Sequence, residues 1–175
     1  MFKFQNYSAI KNAQDNPRVI ATAVTKNGYA FGITDTAGKE NQRPFTDATD
    51  AKAGVWVAMN VMDKPETLNT ADYQIEVGEY IRAIKLDNLL DEKVELTKDL
   101  VKTAYTSVAV GDYLIPCNAT AESTTPMVWR KAVIGTDTGY TIGLLVTEKT
   151  PFGVFTIDGS TAGGFVAKIV AVPAA

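Results

Sequence analysis

The feature that most constrains this chain is the rhythm of its apolar runs. Short segments rich in β-branched and aromatic residues recur at roughly 8–12-residue spacing, with Gly, Pro, Asn and Asp between them. They are Arg18–Val24, Tyr29–Ile33, Val55–Val61, Tyr73–Val77, Glu79–Leu86, Ser107–Val110, Tyr113–Pro116, Met127–Ile134, Tyr140–Leu145, Gly153–Ile157 and Phe165–Val172. Residues 87–102 offer the one helical pattern, where Leu86, Leu89, Leu90 and Val94 form a stripe and Asp87 or Asn88 could cap it. Val94-Glu-Leu-Thr97 fits a strand equally well. Parallel βαβ units need longer helices than this chain can supply. The expectation is an all-β protein, an antiparallel β-barrel or sandwich with at most one short helix.

At 175 residues the chain is long enough for one domain with a sizeable core. Asn27-Gly28, between two β-prone runs, predicts a hairpin, since both positions accept positive φ. Residues 34–53 are polar, carry Gly38 and Pro44, and have no apolar period, so they read as a long loop. Residues 1–17 end in Asn16-Pro17 and read as an extended arm or as a frayed terminus. The expected division is an arm and hairpin over 1–34, a polar linker over 35–53 and a β-barrel core over 54–175. The N-terminal stretch has no signal-peptide core and no apolar run approaches a membrane span, so synthesis in a cytoplasm is expected.

Composition narrows the chemistry. There is no His, so no imidazole base, no Ser-His or Cys-His pair and no His metal site. The single Cys, Cys117, forms no internal disulfide and reads as a small buried hydrophobe. With 17 basic and 20 acidic residues the net charge is −3, a poor match to nucleic acid. Trp129-Arg130-Lys131 reads as one core residue followed by two surface ones. The acids Asp87, Asp91, Glu92, Glu95 and Asp99 interleave with lysines as a solvated face. Gly159 to Gly164 has phosphate-loop glycine spacing, but Phe165 stands where Lys is needed. No catalytic residue, cofactor or metal is expected.

Two segments share a pattern. Val77-Gly-Glu-Tyr-Ile81 and Val110-Gly-Asp-Tyr-Leu114 both read V-G-[DE]-Y-[IL]. In each, Gly allows a tight turn, the acid can accept a nearby backbone N–H, and the aromatic–aliphatic pair opens the next strand.

Residues 51–86 and 105–172 resemble the small β-barrel head decoration, or cement, proteins of tailed bacteriophages. The resemblance rests on Val55-Trp-Val-Ala-Met-Asn60 with Lys64-Pro-Glu66, on Asp72-Tyr-Gln-Ile-Glu-Val-Gly-Glu-Tyr-Ile-Arg-Ala83, on Val108-Ala-Val-Gly-Asp-Tyr-Leu114 and on Gly163-Gly-Phe-Val-Ala-Lys-Ile-Val170. It implies a non-enzymatic virion protein on the capsid surface. Such a protein sits over junctions of the major capsid protein, often as a trimeric homo-oligomer, and has no nucleic-acid or membrane partner. Phe2, Phe4, Tyr7, Tyr29 and Phe31 are the expected contact residues, as aromatic anchors on an arm and a turn. The hairpin at 18–33 and the loop at 34–53 exceed a minimal decoration barrel. They leave open another virion role, as a major capsid, neck, tail or baseplate component. A carbohydrate-binding β-module presenting Tyr29, Phe31 and Phe152 is a further alternative.

Overall fold

The computed structural model of the chain describes residues 2–5, 17–46, 54–60, 73–117, 127–137, 140–150 and 163–173. The protein is all-β, with no helix of seven residues or more among them. The strands are β1 (Phe2–Phe4), β2 (Arg18–Ile20), β3 (Ala30–Thr36), β4 (Lys39–Arg43), β5 (Trp56–Ala58), β6 (Tyr80–Lys85), β7 (Lys93–Thr97), β8 (Tyr113–Pro116), β9 (Trp129–Lys131), β10 (Ile142–Thr150) and β11 (Gly164–Ala171). They form two bodies. One is a closed five-stranded barrel in the order β2-β4-β3-β5-β6, and the other a six-stranded sheet in the order β1-β7-β11-β10-β8-β9. The expected Gly153–Ile157 strand and the 159–162 loop lie outside the described residues.

The strands divide differently from the expected segments. The barrel is built wholly between Arg18 and Lys85, from the stretch expected as hairpin, linker and first core strands. The polar loop contains β4, paired with β3 from Gly32↔Arg43 to Thr36↔Lys39 around a turn at Ala37-Gly38. The one fully inward side chain of β4 is Gln42, a polar residue at 2% exposure, so no apolar alternation marks the strand. β2 does not form a hairpin with β3. It pairs antiparallel with β6 (Val19↔Ile81) and parallel with β4 (Ile20↔Asn41), which closes the barrel. Asn27-Gly28 instead occupies a turn closed by Tyr29 N–H donating to the Lys26 carbonyl at 3.0 Å, with Gly28 at φ +94°. Positive φ at the third turn position alone is the type II arrangement, which does not return one strand along the other as the hairpin turns do.

The helical pattern resolves into a 3-10 turn at Leu86–Leu89 followed by β7. Neither Asp87 nor Asn88 caps it, since Lys85 takes that place. Tertiary context decided for strand: β7 lies between β1 and β11, and Val94 to Thr97 are all buried. Ser107–Val110 is also not a strand. A 3-10 turn at Tyr105–Ser107 leads into the turn at Val110-Gly111. The expected Tyr113–Pro116 strand is β8, and Phe165–Val172 overlaps β11.

One continuous core joins the two bodies. Val19, Phe31, Val57 and Ile81 of the barrel and Val94, Leu114, Trp129, Leu144 and Ile169 of the sheet belong to the same buried cluster. Polar contacts rivet the joint. The Trp129 indole donates to the Gly28 carbonyl at 2.9 Å, and Ala30 N–H donates to the Met127 carbonyl at 2.7 Å. Gln42 Nε2 donates to Thr25 Oγ1 at 2.7 Å and reaches Met127 Sδ at 3.1 Å, so this buried amide is satisfied. Trp129 is core as expected, and Cys117 is fully buried.

Candidate interaction surface

The residues expected to anchor a partner face inward. Phe2 and Phe4 are 3% and 0% exposed, because β1 is a sheet strand whose alternate side chains enter the core. They lie opposite Leu96 and Val94 and contact each other edge-to-face at 5.5 Å. Tyr29 and Phe31 are buried too, since the start of β3 is covered by the barrel on one side and by the Met127 segment on the other. Burial pushes the Tyr29 hydroxyl pKa up, and the Asp99 charge adds to it. None of these four can act as a surface anchor in this structure. Tyr7 lies outside the described residues.

The repeated V-G-[DE]-Y pattern, by contrast, has one geometry twice. In the first copy Glu79 N–H donates to the Glu76 carbonyl at 3.0 Å, Gly78 has φ +88°, and the Glu79 carboxylate accepts Glu76 N–H at 2.8 Å. In the second, Asp112 N–H donates to the Ala109 carbonyl at 3.2 Å, Gly111 has φ +94°, and the Asp112 carboxylate accepts Ala109 N–H at 2.7 Å. The anchoring to the neighbouring strand also matches. Gly78 N–H donates to Ala21 and Ala21 N–H to Glu79, both at 2.9 Å, while Gly111 donates to Val146 and Val146 to Asp112, again at 2.9 Å. Each turn is thus fixed by its own acid and by two bonds to its neighbour, and each holds a valine at its tip. Val77 is 62% exposed and Val110 61%.

Further exposed apolar side chains lie on the segments that pair beside each turn. The segment after β2 bonds the first turn at Ala21 and meets Ile75 again at the Thr25 bridge, and the exposed Val24 lies between those two points. The β8–β9 pairing runs on through Ala132 N–H donating to Tyr113, and Val133 and Ile134 follow directly on that strand. Val133 and Ile134 are more than half exposed. The 133–137 loop that carries them is rigid. Asp137 accepts two hydrogen bonds of 2.7 Å from the Arg130 guanidinium and a third from Val133 N–H at 2.8 Å. Lys131 pairs with Asp112 at 2.7 Å and links the loop to the Val110 turn. Arg130 is therefore mostly buried, with 13% side-chain exposure, rather than a free surface cation.

The Arg130 hydrogen bonds hold the Asp137 carboxyl below its ordinary value, the Val133 amide helps, and burial opposes them. A folded-state pKa below the unfolded one gives stability that is present above the unfolded value of 3.8 and lost as pH falls through the lower folded value. Arg130→Met is expected to cost about 1.5–3 kcal/mol at neutral pH. In acid titrations followed by denaturant melts, the cost shrinks below about pH 4. A cost that stays constant down to the lowest pH would contradict the pairing.

The acids expected to share a solvated face are dispersed. Asp91 pairs with Lys168 at 2.7 Å, and Asp87 accepts Val55 N–H at 3.3 Å. Glu95 is 6% exposed and accepts a hydrogen bond from Gln5 at 2.6 Å, because β7 is interior to its sheet. Among the described residues no group of three or more His, Cys, Asp or Glu could hold a metal ion. No helix among them is long and apolar enough to cross a membrane. What the described surface offers is two rigid turns with apolar tips. The repeat itself was visible in the sequence, while the exposure of its valines and of Val24, Val133 and Ile134 was not. Comparisons with models of protein families, with curated proteins and with solved structures find no match.

Proposed function

We propose that this chain is a non-enzymatic structural protein of a tailed-phage virion, which binds the outside of an assembled head and stabilises it. The observation that carries the reading is the pair of rigid turns that hold Val77 and Val110 out in solvent, with the exposed Val24 on the segment paired beside the first and Val133 and Ile134 on the segment paired beside the second. A β-branched residue at a turn tip gains nothing there for the monomer, but it is a pre-ordered contact for a protein surface. A barrel and sheet sharing one core make a stiff body, and many copies on a shell bind collectively although each contact is small. The resemblance at Val55–Asn60, Asp72–Ala83, Val108–Leu114 and Gly163–Val170 supports the same reading.

Purified protein is expected to bind expanded empty heads of its own phage and to raise their resistance to heat. Val110→Asp combined with Val133→Asp should weaken that binding about tenfold or more while leaving the melting temperature within a few degrees of wild type. Absence of any binding by the wild-type chain would end the proposal. Rings or shells formed by the chain alone, seen by electron microscopy, would favour a major capsid, neck, tail or baseplate component. The carbohydrate-module alternative loses two of its residues, because Tyr29 and Phe31 are buried, and Phe152 lies outside the described residues.

A further inference from the structure

We infer that Asn27-Gly28 is a self-modification site, a deamidation point that the closed fold keeps inert and that local opening of the barrel converts irreversibly. Asn27 is the only asparagine in the chain followed by glycine. In that dipeptide nothing on the second residue blocks the approach of its backbone nitrogen to the asparagine side-chain carbon, because glycine has no Cβ. Hydroxide takes the Gly28 amide proton and the nitrogen attacks Cγ of Asn27. The N–Cγ bond forms, the Cγ–Nδ2 bond breaks, and Nδ2 leaves as ammonia with a proton from water. A water molecule then opens the succinimide at either carbonyl, leaving an aspartyl or isoaspartyl residue at position 27. Water is the only co-reactant.

In the folded protein both reacting groups are engaged. Gly28 N–H donates to the Ala58 carbonyl at 2.9 Å, which opposes loss of its proton. The Asn27 amide is clamped on the backbone of Asn60, donating from Nδ2 to the Asn60 carbonyl and accepting at Oδ1 from Asn60 N–H, both at 2.8 Å. The side chain thus imitates a strand peptide and cannot turn towards its own backbone. Gly28 has no room to swing either, since a Cβ placed there would lie 2.4 Å from Phe2 Cβ and 2.7 Å from Leu100 Cδ1. The clamp in turn depends on β6. Asn60 Nδ2 donates to the Tyr80 carbonyl at 2.9 Å and Asn60 Oδ1 accepts Arg82 N–H at 2.7 Å. Releasing Asn60 from β6 therefore frees Asn27.

The product cannot re-form the clamp. A carboxylate at position 27 faces the Asn60 carbonyl with an acceptor where a donor stood, and an isoaspartyl link adds a backbone atom inside the turn. Each opening event that reacts is locked in. The inference is independent of the proposed virion role.

The test is peptide mapping by mass spectrometry, with enzymatic methylation to detect isoaspartate, on full-length protein held in mildly alkaline buffer. Protein unfolded in guanidinium is expected to convert at position 27 at least about 100-fold faster than folded protein, since opening free energies of a few kcal/mol separate the two states. Asn60→Ala keeps the Asn27-Gly28 dipeptide and loosens its support, so it should speed conversion about tenfold under folding conditions. Arg130→Met, destabilised at a distance, should speed it less than Asn60→Ala at matched global stability, and Asn27→Gln should abolish it. Equal rates in folded and unfolded wild-type protein would overturn the inference. So would no conversion in unfolded protein, or an Asn60→Ala effect no larger than that of Arg130→Met. The wild-type comparison stands even if Asn60→Ala fails to fold.

Discussion

An alanine in place of Phe4 is expected to lower the stability of the protein by about 3–5 kcal/mol. The ring is wholly buried, packs edge-to-face on Phe2 and lies across from Val94. Removing it loses the transfer free energy of an aromatic side chain and leaves a cavity on the core face of the sheet that the surrounding side chains can only partly fill. Equilibrium unfolding in denaturant measures the loss directly. The experiment also separates two pictures of this segment. Were it a peripheral arm, waiting for a partner to bury its aromatics, the substitution would change the midpoint hardly at all. A loss under about 1 kcal/mol would mean that β1 is not part of the core.

Trp129→Ala should be at least as damaging, at about 3–5 kcal/mol or more, because this side chain both fills the core and donates to the Gly28 carbonyl across the joint between barrel and sheet. Trp129→Phe separates the two contributions. It keeps most of the volume but leaves the buried Gly28 carbonyl without its indole donor, for an expected loss of about 1–3 kcal/mol. Since one core serves both bodies, the Trp129→Ala variant should unfold in a single transition, with barrel and sheet probes coinciding. Two resolved transitions would show that the bodies are energetically separable and that the rivets at Gly28, Ala30 and Gln42 contribute little.

Much of this fold was legible in the sequence, and the failures have physical causes. The strand rhythm, the absence of long helices and the placement of β8 and β11 follow from β-branched runs bounded by turn residues. β4 escaped because hydrophobic periodicity cannot see a strand whose inward residue is Gln42, satisfied by Thr25 and Met127 rather than by apolar contact. The hairpin expected at Asn27-Gly28 does not form because the dipeptide specifies a turn, whereas the partner of the strand before it is fixed by distant residues. Arg18–Ile20 pairs with Tyr80–Arg82. For the aromatic residues Phe2, Phe4, Tyr29 and Phe31, local sequence marks an apolar side chain without saying what covers it. Their cover comes from β7 and the Met127 segment, far along the chain. The reverse error applies to Val77 and Val110. The turn chemistry was readable, but a valine is read as interior by default, and only the tertiary structure leaves it outside.

The two bodies also differ in how they use the chain. The barrel draws on one contiguous stretch, Arg18 to Lys85, while the sheet joins β1 to strands that begin at Lys93 and continue to Ala171. During synthesis the barrel strands can therefore pair as soon as β6 has left the ribosome, whereas β1 must wait for β7 to emerge and for β10 and β11 to build the surface on which β7 rests. The sequence separation between Phe2 and Leu96 makes this pairing costly in loop entropy and places it late in folding. In that interval Phe2 and Phe4 are exposed on a growing chain that already carries a finished barrel. The nascent protein thus passes through a stage in which a strand carrying two core phenylalanines has no partner in its own chain.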